Sequence, residues 1–379
     1  MKVYLDNAST VAMSGAAINE YLVVAREFFA NPQGSHSFSR SSLSKLDEYR
    51  ERCARVLGCP VGAVFFTSGA TEADNIAIYG CGEPSSTVAC STVEHKAVIA
   101  PVEARGGKMI AVDADGQIDR DRFREFLKAN AQDLSLVSLM AVNNETGISF
   151  DIEILAGMVH KHAPAAMFHC DAVQLANTSS LKVVVDASDL VSLSAHKFGG
   201  PKGTGILVCK DRTRMRPLAL GGSQEKDLRP GTHDLASIGA MTVALEEAQA
   251  NVVDTWSHLW GLQRRFESQL EQILPDVIIS GLRTQRSPAV SHLLIPDTRS
   301  EELLFVLDEL GVAASGGAAC ASGALDPSHV VLAMGVEPKL AKGALRFSFA
   351  STNTDEDIDY ATKALLEACS RLERPLGPR

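Results

Sequence analysis

The chain has 379 residues, of which 45% are hydrophobic and 22% charged, so it can bury a substantial core and is no disordered tail. Its 36 basic and 46 acidic residues leave a net charge of -10, which argues against nonspecific binding to nucleic acid or to an anionic membrane. No uncharged apolar stretch reaches bilayer length, and the start, MKVYLDNAST, has no apolar signal core, so a soluble cytoplasmic protein is expected. Eight cysteines at irregular spacing, without a CxxC pair, read as reduced thiols with no structural zinc and no other metal site.

In chain order, short apolar strands are predicted at 63–66, 136–142, 166–169 and 190–194, alternating with amphipathic helical stretches. That alternation is the pattern of an α/β protein with a mostly parallel central sheet and flanking helices. A boundary is expected near residues 250–256, after the helical run MTVALEEAQ. Beyond it, strands at 290–294 and 345–349 and a helix at 354–371 form a smaller α+β domain. The division is a large domain at 14–255 and a small one made of 1–13 and 256–379. Within the latter, Ser300 is placed to cap a helix carrying Leu303, Leu304 and Leu307, and Gly311 to close it. The run from Gly311 to Ala324, GVAASGGAACASGA, is almost all small residues and reads as a mobile loop.

Each of the four strands is followed by polar residues: TSGATE (67–72), NNETG (143–147), DAVQ (171–174) and AHK (195–197). In an open parallel sheet the ligand crevice lies outside the carboxyl ends of the strands, so these groups should converge. TSGATE, with Ala70 and Thr71, either offers a helix N-terminus to an anion such as a phosphate or is an ordinary cap, with Thr71 as N-cap and Asp74 three residues on. Asp171 could hold a protonated ring nitrogen or cap the next helix. Gln174 is a second contact or a surface amide. Lys197, beside Ser194 and His196, could form a Schiff base, or simply reach to solvent. His95 could stack on a ring or move protons, or be structural. GGPKGTG (199–205) fails the P-loop spacing and reads as a turn between strands. Together, an anion cradle, a lysine, a carboxylate and a histidine meet the needs of pyridoxal phosphate.

The ordered motifs YLDNAST, NPQGSHSF (31–38), FTSGATEADN (66–75), EHKAV (94–98), VNNETG (142–147), FHCDAVQ (168–174), SLSAHKFGGPKGTG (192–205), RPGT (229–232), SGGAACASGALDPSHV (315–330) and RFS (346–348) span nearly the whole chain. In them the chain resembles a cysteine desulfurase of the nitrogen-fixation and iron–sulfur-cluster type, a class V aminotransferase relative of the fold type I pyridoxal phosphate enzymes.

The resemblance implies that Lys197 carries the cofactor covalently, that Asp171 meets its ring nitrogen, Gln174 its phenolic oxygen and His95 its face. It implies phosphate contacts from Thr71, next to Ala70, and from Ser194 and His196, with Thr232 reaching the partner subunit's cofactor in a homodimer. Asn143 contacts cofactor or substrate, and Arg346, assisted by Asn31, pairs with the substrate carboxylate. Cys320 is the nucleophile that holds the sulfur of L-cysteine as a persulfide, with L-alanine released and Lys197 and His95 moving protons. The sulfur then passes to an acceptor protein, in iron–sulfur cluster assembly, tRNA thiolation or DNA phosphorothioation. A selenocysteine lyase or another class V enzyme is the alternative. The other seven cysteines read as small buried hydrophobes. The basic run Lys210, Arg212, Arg214, Arg216 reads as a solvated or subunit-facing surface. Departures from the family pattern are Ala195 for glycine, Gly316–Gly317–Ala318 for Ser-Gly-Ser and Pro230 before Gly-Thr, and the sequence stops at Arg379 without a longer tail.

Overall fold

The computed structural model describes residues 1–316 and 327–372. Among them, a seven-stranded sheet runs in the spatial order Val64–Thr67, Gly205–Cys209, Leu190–Ser194, Met167–Asp171, Leu134–Met140, Thr87–Ser91 and Lys108–Ile110. Gly205–Cys209 is antiparallel to both neighbours; all other pairings are parallel. Val64–Thr67, two antiparallel steps from Leu190–Ser194, therefore points the same way as the other parallel strands, and its carboxyl end joins theirs.

The strand at 190–194 lies where its apolar run predicts. Three others shift by a residue or two: Val64–Thr67, Leu134–Met140 and Met167–Asp171. The last shift matters, because Asp171 becomes the final residue of a strand and shares a face with Met167 and His169. Met167 packs there with Ile76 and Ile78 of the helix Ala70–Gly80, while Phe168 and Cys170 face the larger core on the other side. The helix Ser37–Leu57 closes part of that larger core. Leu46, Tyr49, Cys53 and Leu57 line its inner face, and Gly58, at φ 71°, terminates it.

A separate cluster gathers Leu259, Leu262, Phe266 and Leu270 of the helix Val252–Ile273 with Leu293, Leu345, Phe347, Ile358 and Leu365. Its sheet comprises Ala344–Ser348, Val290–Leu294 and Ile278–Ile279, all antiparallel. Val3 and Leu5 belong to the same cluster, and Val3–Tyr4 pairs in parallel with Val312–Ala313.

Two cap assignments change. The helix after TSG begins at Ala70 with Gly69 as N-cap, so Thr71 lies inside it and Asp74 is a buried core position, not a surface capping partner. Ser300 is the first helical residue and Arg299 the N-cap. Gly311 does close that helix at φ 81°. At the last helix Thr354 caps Asp355–Arg371 in a reciprocal pair with Asp357. In the basic run Lys210 and Arg214 are exposed and Arg212 and Arg216 half-buried, and each side chain also holds a backbone carbonyl: Lys210 donates to that of Asp186, Arg212 to that of Met215, Arg214 to that of Ala165 and Arg216 to that of Gly82. No described helix is long and apolar enough to cross a membrane.

Candidate active site

The carboxyl ends of the parallel strands open into a cavity of about 420 Å³. Its floor begins at the turn 67–69. Thr67 ends a strand, and Gly69, at φ 143°, releases the chain into the helix Ala70–Gly80. A glycine is needed opposite as well, since a Cβ on Gly205 would stand 2.7 Å from the Cα of Gly69. The first-turn N–H groups of a helix have no partner within it, so this close-packed turn presents donors and the positive end of the helix dipole to the cavity. Ala70, Thr71, Ser194 and His196 line this end. His196 Nδ1 is buried without a hydrogen-bond partner among the described residues, and burial, reinforced by Lys197, drops the ring to about 4.

Lys197 follows the strand Leu190–Ser194 on a short 3-10 turn. Its Nζ donates to the carbonyl oxygens of Ala8 at 2.7 Å and Ser9 at 2.9 Å, and Gln174 Nε2 also donates to Ala8 at 2.9 Å. Asp171 lies beside them, with Oδ1 accepting from Val173 N–H at 3.0 Å. Arg346, only 2% exposed, donates to the Asn144 carbonyl at 2.8 Å, to Asp6 Oδ1 at 2.6 Å and to Ser9 Oγ at 2.8 Å. Its Nε has no partner among the described residues. His95 caps the helix Lys96–Ala104 by accepting from Ala97 N–H at Nδ1, 3.1 Å away. The cavity therefore gathers His95, Ala70, Thr71, Asp171, Gln174, Ser194, His196, Lys197 and Arg346.

Three candidates do not line the cavity, and a fourth lies outside the described residues. Asn143 does not line the cavity. Its side chain is consumed in its own turn, donating to the Val93 carbonyl at 2.9 Å and accepting from the N–H groups of Glu145 and Thr146. Its neighbour Asn144 lines the cavity instead. Asn31 is exposed, with Oδ1 turned to Gln33 N–H at 3.0 Å, and Thr232 is exposed too; neither lines the cavity. Cys320 lies outside the described residues, as does most of the small-residue run around it.

The chain matches the Aminotransferase class-V family over residues 3–361. It is 34% identical over 383 residues to a cysteine desulfurase of Klebsiella pneumoniae, covering 100% of this chain and 95% of that protein. A solved NifS-like protein superposes with a TM-score of 0.89 at 30% identity, covering 98% of this chain and all of that one (100%). SspA, solved in complex with cysteine, superposes at 0.79 with 26% identity, covering 93% of this chain and 100% of SspA.

The chain belongs to the cysteine desulfurases of aminotransferase class V.

The buried charges of this desulfurase fit the pyridoxal phosphate on which its family depends. Asp74, Glu94 and Asp171 are 1%, 0% and 5% exposed, and burial raises all three carboxyls, Glu94 to about 8. Ser192 is within hydrogen-bonding reach of Asp74, while Oε2 of Glu94 receives no hydrogen bond from any described residue. A crowd of buried carboxyls short of donors is a site in want of a cation, and a protonated ring nitrogen at Asp171 would supply one. His169 does not fill that need. Burial holds it neutral down to about 3 between Ser138 Oγ at 2.8 Å and Ser192 Oγ at 2.9 Å. The opposite end, with the donors of the helix turn and the unpartnered His196 Nδ1, suits a phosphate.

Elsewhere, burial raises the thiols of Cys53 and Cys209 to about 12 and Cys81 to about 11, and Cys59, Cys90 and Cys170 also rise. None of these six is a ready thiolate near neutral pH. Sequence reasoning missed Asn144, Glu145, Lys202 and His329, which all line the cavity. The motifs containing them were visible; which member of each turns inward was not.

Proposed function

We propose that the chain converts L-cysteine to L-alanine with pyridoxal phosphate, holding the sulfur as a persulfide on Cys320 for an acceptor protein. The observation that carries this reading is the convergence of Lys197, Asp171, His95 and Arg346 on one cavity at the N-terminus of a helix. The bound cofactor supplies an electron sink for the pair left when a substrate Cα proton departs.

Lys197 is the residue to hold the cofactor covalently and then to take the Cα proton at Nζ. Asp171 keeps the ring nitrogen protonated; Gln174 faces the ring oxygen; Thr71, Ser194 and His196 hold the phosphate. Arg346 binds the substrate carboxylate by its planar fork, with Asn144 beside it in place of Asn143. His95 stacks on the ring. Its Nδ1 lone pair is already committed to Ala97, so in this geometry it donates from Nε2 and takes up no proton. Thr232 and Asn31, both away from the cavity of their own chain, fit roles across a homodimer interface. We read residues 14–255 as the cofactor-binding domain and 1–13 with 256–379 as the domain that carries Cys320, acting in the cytoplasm.

The test mixes the purified, yellow protein with L-cysteine and measures alanine and protein-bound persulfide, with Cys320→Ala alongside. Equal alanine and persulfide, both lost in Cys320→Ala while the colour stays, is the expected result. A yellow wild type that forms no alanine, alone or with sulfur acceptors added, overturns the reading.

A further inference from the structure

Two cavity imidazoles have their tautomers fixed by backbone groups, both with the hydrogen on Nε2, but the backbone occupies the lone pair of one and the N–H of the other. His95 Nδ1 accepts from an N–H, so that nitrogen is bare and its lone pair is in use. His329 Nε2 lies 3.0 Å from the carbonyl oxygen of Glu94, which can only accept. Nε2 of His329 therefore carries the hydrogen and its Nδ1 keeps a lone pair, for which no described residue supplies a donor.

The ring is also held in place. Ser328 Oγ donates to Glu145, a carboxyl only 2% exposed, and accepts from Val330 N–H at 3.1 Å. Glu145 follows Asn144, whose carbonyl receives Arg346. A short chain of bonds thus ties His329 to the guanidinium proposed for the carboxylate. Glu145 and His95 lie close enough to interact with it electrostatically, and Lys96 with both of them. The third cavity imidazole, His196, sits at the anion end next to Lys197.

Amino-acid geometry then limits what faces His329. With the amine toward Lys197 and the carboxylate on Arg346, the third substituent on Cα is left for the other lining residues, His95, Lys96 and His329 among them. We propose that His329 is a specificity residue: its Nδ1 accepts the S–H of the bound cysteine and fixes the direction of the sulfur. No bond is made or broken in this step. This assignment rests on the cysteine desulfurase reading above. A thiol is a weak donor, so the contact separates cysteine from ligands of similar size without dominating affinity.

The experiment titrates the holoenzyme of the Cys320→Ala variant, which cannot turn over, with L-cysteine, S-methyl-L-cysteine and L-alanine, following the cofactor's absorbance. His329→Leu and His329→Asn are made in the same background. We expect His329→Leu to weaken cysteine about fivefold while leaving alanine and S-methylcysteine unchanged. His329→Asn, whose carbonyl can accept, should recover most of the difference. Unchanged alanine binding also shows that the variant is folded. Equal losses for all three ligands, or no loss for cysteine, would overturn the assignment. Absence of alanine formation by the wild-type enzyme would instead sink the desulfurase reading itself, so the two failures are distinct.

Discussion

Nζ of Lys197 donates to the carbonyl oxygen of Ala8 at 2.7 Å. The contact joins residues 189 positions apart and makes the N-terminal motif part of the cavity wall, with Gln174 sharing the same acceptor. The lysine is thus held at the sheet edge by backbone oxygens, beside Asp171, and not left to reach into solvent.

Replacing Lys197 by alanine should leave a protein that loses its yellow colour on gel filtration and forms alanine at least about a thousandfold more slowly. Lys197→Arg should do no better, because a guanidinium neither links to an aldehyde nor gives up its proton. Absorbance of the desalted protein and an alanine assay check this. Retained colour with near-normal turnover in either variant contradicts the role.

Arg346→Ala should raise KM for cysteine roughly 10- to 100-fold with a smaller change in kcat, the size of one charge-assisted hydrogen-bond pair. It also strips donors from Asp6 and the Asn144 carbonyl, so unfolding free energy should fall by about 3 kcal/mol in urea. Arg346→Lys cannot reach all three acceptors and should lie between the two. A variant with altered stability but unchanged KM would make Arg346 purely structural.

Glu225 sits at φ 49°, followed by Lys226 and Asp227 at φ 54° and 61°, three successive left-handed residues that are unfavourable for any side chain. Arg50 meets its carboxylate in two bonds, at 2.8 and 2.6 Å, and Phe66 N–H and His233 add two more. Although burial opposes it, this hydrogen bonding holds Glu225 down at about 2, against an ordinary value of 4.5. A depressed carboxyl stabilises the fold above 4.5, and that stability is lost as pH falls toward 2. Denaturation between pH 5 and pH 2 should show about 3 kcal/mol of pH-dependent stability that Glu225→Gln lacks. Parallel curves for the two proteins would refute it.

Glu94 has the opposite sign. Its carboxyl is raised from 4.5 to about 8 by burial, so folding favours the protonated form, and the fold should lose stability as pH rises from 4.5 toward 8. Glu94→Gln keeps an acceptor for Ser91 Oγ at 2.6 Å and Met140 N–H at 2.9 Å while removing the titration. In the cofactor-free protein it should be more stable than wild type by roughly 2–3 kcal/mol at pH 7 and equal to it at pH 4. A wild type whose stability is flat over that range excludes the effect.

The sequence by itself determined the α/β class, the alternation of apolar strands with helices, and the lysine, aspartate and histidine that follow those strands. Those features are local: a short apolar run forms its strand wherever it packs, and a polar residue at its end emerges at the sheet edge. Only the tertiary structure decided what lies on turns and what burial does to charge. Asn143 and Asn144 are adjacent and chemically identical, yet one is spent bonding its own turn and the other lines the cavity, because consecutive residues of a turn point in different directions. Thr71 looks like a cap, but the helix begins at Ala70 with Gly69 as its cap, and Asp74 falls on its buried face. The charge states of Glu94 and Glu225 and the free lone pair of His329 depend on groups brought from distant segments, and no local pattern encodes that proximity.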